Sequence, residues 1–276
     1  MGSYLLIGTS GLLSQSLQAC IDVKDTIKTS SCESDDSIYF DSKMRLQELD
    51  IQWDKLQYII ITSAISDVLE CELDIQLSLR INLEWPLQIA RDAKILNIPI
   101  ICFSSEYVFD GLSSCAYDER SQHNPKSVYG RHKSILENEM VTNFEDSLVF
   151  RISKLADIQN PRSFLGKMRE QILYSDVYYA ATDQIFSPID LSDAAQLIIK
   201  ASQVKLTGLY NLSGPEPISR YRLASRIALK YSPSTTIKPI NISDLNLGYY
   251  VPPNLSMCCD NLCTALATKI SSGADL

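Results

Sequence analysis

The sequence predicts an α/β protein, a doubly wound parallel sheet with a smaller C-terminal lobe, on three observations. A short apolar run, Tyr4 to Ile7, passes through the turn Gly8-Thr9-Ser10-Gly11 into Leu12, Leu13, Leu17 and Cys20 at helical spacing. The continuous apolar run at 58–61 and the strand segments at 99–103 and 148–152 suit buried parallel strands, with a helical pattern between one and the next. Beyond about residue 153 this alternation loosens, as expected where a second unit begins.

A chain of 276 residues, 45% hydrophobic and 21% charged, can bury a sizeable core. Its net charge of -8 opposes a nucleic-acid or anionic-membrane surface, so small molecules are the expected partners. The first residues enter an apolar strand without a basic leader, and no segment approaches about 18 consecutive apolar residues. A soluble, cytoplasmic protein is expected. Eight scattered cysteines imply reduced thiols, and with only His123 and His132 available no metal site is expected.

Taken in order, the first strand, glycine turn and helix bring backbone N–H groups to a helix N-terminus where a pyrophosphate can sit. The spacing is Gly8, Gly11, Ser14, and Gly8, Ser10, Gly11 and Leu12 are the candidate contacts; two plain turn glycines are the alternative. A second strand at 26–31 carries Lys28, Ser30 and Ser31, which favours NADP slightly over NAD. Asp41, after Ile38 to Phe40, either caps the next helix or approaches an adenine. Small residues follow the strand at 58–61, so Ser63 and Ala64 are expected to line the cofactor cleft.

A helix is expected over 74–96, then a strand ending in Ser104-Ser105-Glu106, where ligands of open α/β sheets bind. After a polar loop, Pro125 near a first turn opens a helix with Tyr129 and Lys133 four apart on one face. An ammonium beside a phenol favours the phenolate, drawing its pKa below about 10 and fitting tyrosine for proton exchange. The strand at 148–152 follows. Next come a helix over 164–174, a strand at 177–181, a structured turn at 183–188 and a helix over 190–202. A strand at 209–212, a helix over 220–231 and a docked tail at 252–257 complete the chain. The sheet domain is expected over 1–152, completed by about 187–208, with 153–186 and 209–276 forming the smaller lobe.

The order of these motifs resembles the extended short-chain dehydrogenase/reductase superfamily, and within it the dTDP-4-dehydrorhamnose reductase group. The resemblance is carried by Gly8 to Ser14, Phe103 to Gly111, Tyr129 to Lys133, Asp183-Gln184 with Ser187-Pro188, Tyr210 to Gly214, and Pro253-Asn254 with Ser256. The Tyr-Val-Phe-Asp-Gly stretch at 107–111 is its most specific part. It implies a Rossmann-type domain and a lobe holding a nucleotide-activated sugar, with NADP(H) or NAD(H) delivering hydride to a 4-keto-deoxysugar. Tyr129 would then be the proton donor, Lys133 would hold the nicotinamide ribose and lower the tyrosine pKa, and Ser105 would hydrogen-bond the reacting oxygen. Ser66, Glu106, Tyr107, Lys154, Gln184 and Asn254 would face the sugar nucleotide.

Two departures from that group bear on the substrate. Ser153 and Lys154 stand where an aromatic residue is usual after Arg151, and Val251 replaces an arginine before Pro-x-Asn. A cation such as Lys154 or Arg162 is then expected to take the arginine's place, or the sugar nucleotide differs. A non-catalytic regulatory subunit, like the methionine adenosyltransferase beta subunit, and a sugar-nucleotide epimerase or dehydratase remain as alternatives. A homodimer is left open.

Overall fold

The structure is a computed structural model that describes residues 2–32, 35–244 and 248–274. The N-terminal half runs β1 (Ser3–Ile7), α1 (Leu12–Cys20), β2 (Thr26–Ser30), β3 (Ile38–Tyr39), β4 (Leu56–Ile61), α2 (Val68–Leu73), α3 (Ile75–Leu79), α4 (Trp85–Leu96), β5 (Ile100–Ser105) and α5 (Val128–Asn143). It continues with β6 (Leu148–Ile152), β7 (Leu155–Ala156), α6 (Phe164–Leu173), β8 (Val177–Ala181), β9 (Ile185–Phe186), β10 (Ile189–Asp190) and α7 (Leu191–Gln203). The last part is β11 (Gly208–Leu212), β12 (Ile218–Ser219), α8 (Arg220–Tyr231), β13 (Thr236–Ile240), β14 (Asn254–Leu255) and α9 (Asp260–Ala265).

Seven parallel strands form the main sheet in the order β11-β6-β5-β4-β1-β2-β3. The chain winds outward on one side of β1 and then restarts at β4 on the other, so the crevice of this Rossmann-like sheet opens at the carboxyl ends of β1 and β4. Alternate residues show why the strands read as unbroken apolar runs. Tyr4, Leu6, Ile60, Ile101 and Phe150 pack beneath α1, α7 and α9, while Leu5, Ile7, Ile59, Cys102 and Val149 pack beneath α4 and α5.

The smaller unit gathers α6, α8 and β8 around Leu165, Met168, Leu223 and Ile227. Its small sheet, β12-β9-β14, joins three segments far apart in sequence. No helix among the described residues is long and apolar enough to cross a membrane.

Two expectations are corrected and two are met with a local difference. The strand at 209–212, assigned to the smaller lobe, is β11 and pairs in parallel with β6 in the main sheet, because its register places Leu212 beside Ile152 in the large core. The helix expected over 74–96 is present, with Asp74 as its N-cap accepting from Leu77 N at 2.9 Å, and differs only in the π turn over Arg80–Glu84 that separates α3 from α4. The helix expected after Pro125 is α5, whose N-cap is Ser127 with its hydroxyl accepting from Gly130 N at 3.0 Å. Asp41 caps no helix; it accepts from Lys43 N at 2.9 Å and Tyr39 OH at 2.8 Å and closes a turn.

Candidate active site

Backbone geometry builds the floor of the site. Gly8 has φ +91°, and a Cβ there would lie 2.6 Å from Ser63 Oγ, so the left-handed turn presses directly onto the end of β4. Thr62 and Ser63 N–H both donate to Ile7 O at 2.9 Å, which fixes this junction. At Gly11 a Cβ would meet nothing within 4 Å. Gly11 also N-caps α1 with no side-chain cap, and the first turn contains no acid. Free N–H groups, the positive end of a helix dipole and open space together fit a pyrophosphate, so the turn passes the test for a dinucleotide cradle. Arg162 reaches this turn from the second unit, donating to Ser10 O at 2.6 Å.

The other wall is the loop after β4. Buried Asn82, projected from the π turn, clamps Ile65 through both backbone groups, accepting from its N–H and donating to its carbonyl at 3.0 Å each. Ala64 and Ser66 on this loop are exposed and Ser63 is half-buried. The sequence marked Asn82 only as part of a helix, although a fully buried amide in mid-helix demands partners of this kind. Asp41 stands past β3, two strands from β1.

Ser105 ends β5, and α5 brings Tyr129 and Lys133 against it. The approach is close: a Cβ on Gly130 would come within 2.2 Å of Tyr107 O. Glu72 holds the start of α5 by accepting from Val128 N at 2.7 Å. Tyr129, Lys133 and Ser105 are all buried, and the Tyr107 ring lies edge-on to Tyr129 with centroids 6.0 Å apart.

The electrostatics reverse one expectation. Burial pushes the Tyr129 phenol up to about 12, with the Ser105 hydroxyl and the Lys154 charge pulling it back. Lys133 does not depress it, because the ammonium donates to Phe103 O at 3.0 Å and lies 5.9 Å from the Tyr129 ring centroid. Burial instead brings Lys133 down to about 8. The phenol is protonated at neutral pH, and its proton can pass to a substrate oxygen only as the phenolate left behind is stabilised.

Above Tyr129, Lys154 Nζ lies 3.2 Å from Glu106 Oε1 and 5.0 Å from the Tyr107 ring centroid. Ser153 Oγ donates to Glu106 Oε2 at 2.7 Å. Burial alone would depress Lys154, but Tyr107 and Glu106 hold its ammonium above the ordinary lysine range. Glu106, Tyr107 and Lys154 are therefore brought together with the Ser105–Tyr129 pair. Gln184 is half-buried beside α8, its carbonyl accepting from Arg220 N at 2.9 Å. Asn254 is engaged structurally: its amide donates to Ser113 O at 2.8 Å and its oxygen accepts from Ser256 Oγ at 2.7 Å.

The profile of the RmlD substrate binding domain matches residues 2–272, nearly the whole chain. The chain belongs to this family. Among curated relatives, a dTDP-4-dehydrorhamnose reductase of Sinorhizobium fredii is 26% identical over 216 residues, spanning 74% of this chain and 72% of the relative. A methionine adenosyltransferase 2 subunit beta of Xenopus tropicalis is 28% identical over 165 residues, spanning 55% of this chain and 48% of the relative. The crystal structure of the dTDP-4-dehydrorhamnose reductase of Bacillus anthracis in complex with NADP superposes with a TM-score of 0.83. That alignment has 19% identity and covers 99% of this chain and 96% of the other. The main sheet and flanking helices of this member of the RmlD family thus share the reductase fold.

Proposed function

We propose that the chain is an NAD(P)-dependent reductase of a nucleotide-activated 4-keto-deoxysugar, acting in the cytoplasm. The observation that carries this reading is the meeting of buried Tyr129 with Ser105 at the carboxyl end of β5, the same edge of the parallel sheet at which the glycine turn follows β1. A binding-only subunit of the methionine adenosyltransferase type has no use for such a donor. A bound dihydronicotinamide would supply the hydride. Gly8, Ser10, Gly11 and Leu12 would hold its pyrophosphate, with Ser63 and Ala64 lining the cleft and Asp41 at the adenine end. Lys28, Ser30 and Ser31 at the end of β2 favour NADP over NAD.

In this reading the keto oxygen lies between Ser105 Oγ and Tyr129 Oη. Ser105 donates a hydrogen bond as negative charge develops there, and Tyr129 transfers its proton, leaving the alcohol. Lys133 anchors the nicotinamide ribose, and the Lys154 ammonium offers a positive charge to the phenolate as it forms. Ser66, Glu106, Tyr107, Lys154, Gln184 and Asn254 surround the sugar nucleotide.

The test is NADPH oxidation by the purified protein against a panel of nucleotide keto-sugars. Tyr129→Phe should abolish turnover while the NADPH Kd stays within about twofold, since only a hydroxyl is lost. Undiminished turnover in that variant would sink the mechanism. Binding of NADPH without consumption across the panel would favour the regulatory subunit.

A further inference from the structure

We propose that His132 is a positioning residue for the cofactor cleft: through the Ser78 hydroxyl and the Asn82 amide it fixes the loop after β4. In naming a cofactor this rests on the dinucleotide-binding reading above, whereas the chain of bonds belongs to the protein alone.

Four parts of the fold meet in it. His132 stands in α5 between Tyr129 and Lys133, and its Nδ1 lies 2.9 Å from Ser78 Oγ in α3. Ser78 Oγ accepts from Asn82 Nδ2 in the π turn at 3.3 Å, and Asn82 holds both backbone groups of Ile65. Ser63 N–H is fixed on Ile7 O and Asp67 caps α2, so Ile65 ties the span between them to the body of the protein. The exposed Ala64 and Ser66 flank Ile65 and follow its position.

Each bond dictates the sense of the next. Asn82 Oδ1 is taken by Ile65 N–H, so it is the NH2 group that turns to Ile65 O and to Ser78. Ser78 therefore gives Asn82 a lone pair, and its single proton must go elsewhere. His132 Nδ1 is the near acceptor, which requires the neutral ring with its proton on Nε2. The surroundings support that form. His132 is 7% exposed, and burial draws its pKa below the ordinary value, helped by the Arg131 and Lys133 charges against the pull of Glu72 and Glu84. Ser78 and Asn82 are wholly buried, so neither can turn to water when the histidine acceptor is lost. The stranded hydroxyl proton then competes with the Asn82 NH2 group, and the clamp on Ile65 loosens. Because His132 shares a helical turn with Tyr129 and Lys133, the same bonds hold the cofactor wall in step with the proton donor.

Nitrogen NMR of the histidine ring, on the full chain without cofactor at pH 7, tests the tautomer. The expected state is a bare Nδ1 and a protonated Nε2, and a protonated Nδ1 would overturn the relay. His132→Asn and His132→Leu then separate polarity from packing, since the two side chains have nearly the same shape and only asparagine places an oxygen near the Nδ1 position. Amide exchange at Ile65 should speed up about tenfold or more in His132→Leu and stay within about threefold of wild type in His132→Asn. Ser78→Ala should speed it similarly, with little further effect when combined with His132→Leu, and it carries the comparison should the leucine variant unfold. NADPH should bind about three- to tenfold more weakly to His132→Leu, because only molecules with the loop in place accept it, and His132→Asn should restore the affinity. Unchanged Ile65 exchange in both His132→Leu and Ser78→Ala, or unchanged NADPH affinity despite faster exchange, would overturn the proposal. A wild-type protein that binds no dinucleotide fails the reading above and with it the cofactor role, an outcome told apart by intact tautomer and exchange results.

Discussion

Tyr129 and Lys133 were visible in the sequence because helical spacing alone places them on one face. Their electrostatic relationship was not, because it depends on where the ammonium goes in three dimensions. Lys133 bonds the Phe103 carbonyl, thirty residues earlier, and its burial lowers it to about 8 from an ordinary 10.5. Below pH 8 the folded and unfolded chains both carry that proton. Between about 8 and 10.5 the folded chain has released it while the unfolded chain retains it, so stability increases with pH across this window. Lys133→Met should therefore flatten the rise and stabilise the protein at pH 7 by up to about 3 kcal/mol, while turnover falls steeply. Urea midpoints at pH 7 and pH 10 measure the first effect. An unchanged pH dependence in the variant would count against the buried ammonium.

Among the elements, those with one strong signal were legible and those with competing signals were not. Tyr58 to Ile61 and Leu148 to Phe150 are apolar throughout, and each became a central strand. The segment 74–96 keeps a helical pattern and is helical beyond its cap Asp74, but the π turn that rotates Asn82 toward Ile65 leaves no mark in that pattern. Strand β13 was missed because Thr236–Ile240 is mostly exposed, contains Pro239 and pairs only with β8. The contact between α5 and the turn after β5 gives a test at this scale. Gly130→Ala places a methyl on the Tyr107 carbonyl, so α5 must retreat and carry Tyr129 away from Ser105. A loss of about 1–3 kcal/mol in stability is expected, with kcat falling far more than NADPH affinity. Denaturant melts and steady-state kinetics on one preparation separate the two, and a fully active variant would show that the contact does not position Tyr129.

Across the whole molecule, one buried arginine ties the sheet to the loop below the site. Arg151, wholly buried in β6, donates to Glu137 of α5 at 3.1 Å, to Asn211 of β11 at 3.1 Å and to the Asp118 carbonyl at 3.2 Å. Burial would raise Glu137, but His123 and Arg151 beside it outweigh that and bring it to about 2. Its contribution is therefore complete above about pH 4.5 and is lost as pH falls toward 2. Arg151→Met strands the carboxylate, and a loss of about 3–5 kcal/mol is expected in urea unfolding at pH 7, shrinking toward pH 2. A near-neutral effect at pH 7 would mean the network carries no net stability. The same region shows why the boundary at 209 was misread: β11 is as long as β1 or β6, but only its pairing with β6 reveals its sheet. That pairing also bears on synthesis. A chain emerging from the ribosome presents β6 with an open edge through some sixty further residues, because β11 is made only after β7 to α7. The sheet cannot close until residue 212 is out, and the last strand of the small sheet follows only at 254. Folding of this protein is thus bound to late, long-range contacts, and a fragment ending at 152 would expose a sticky strand rather than form a self-contained domain.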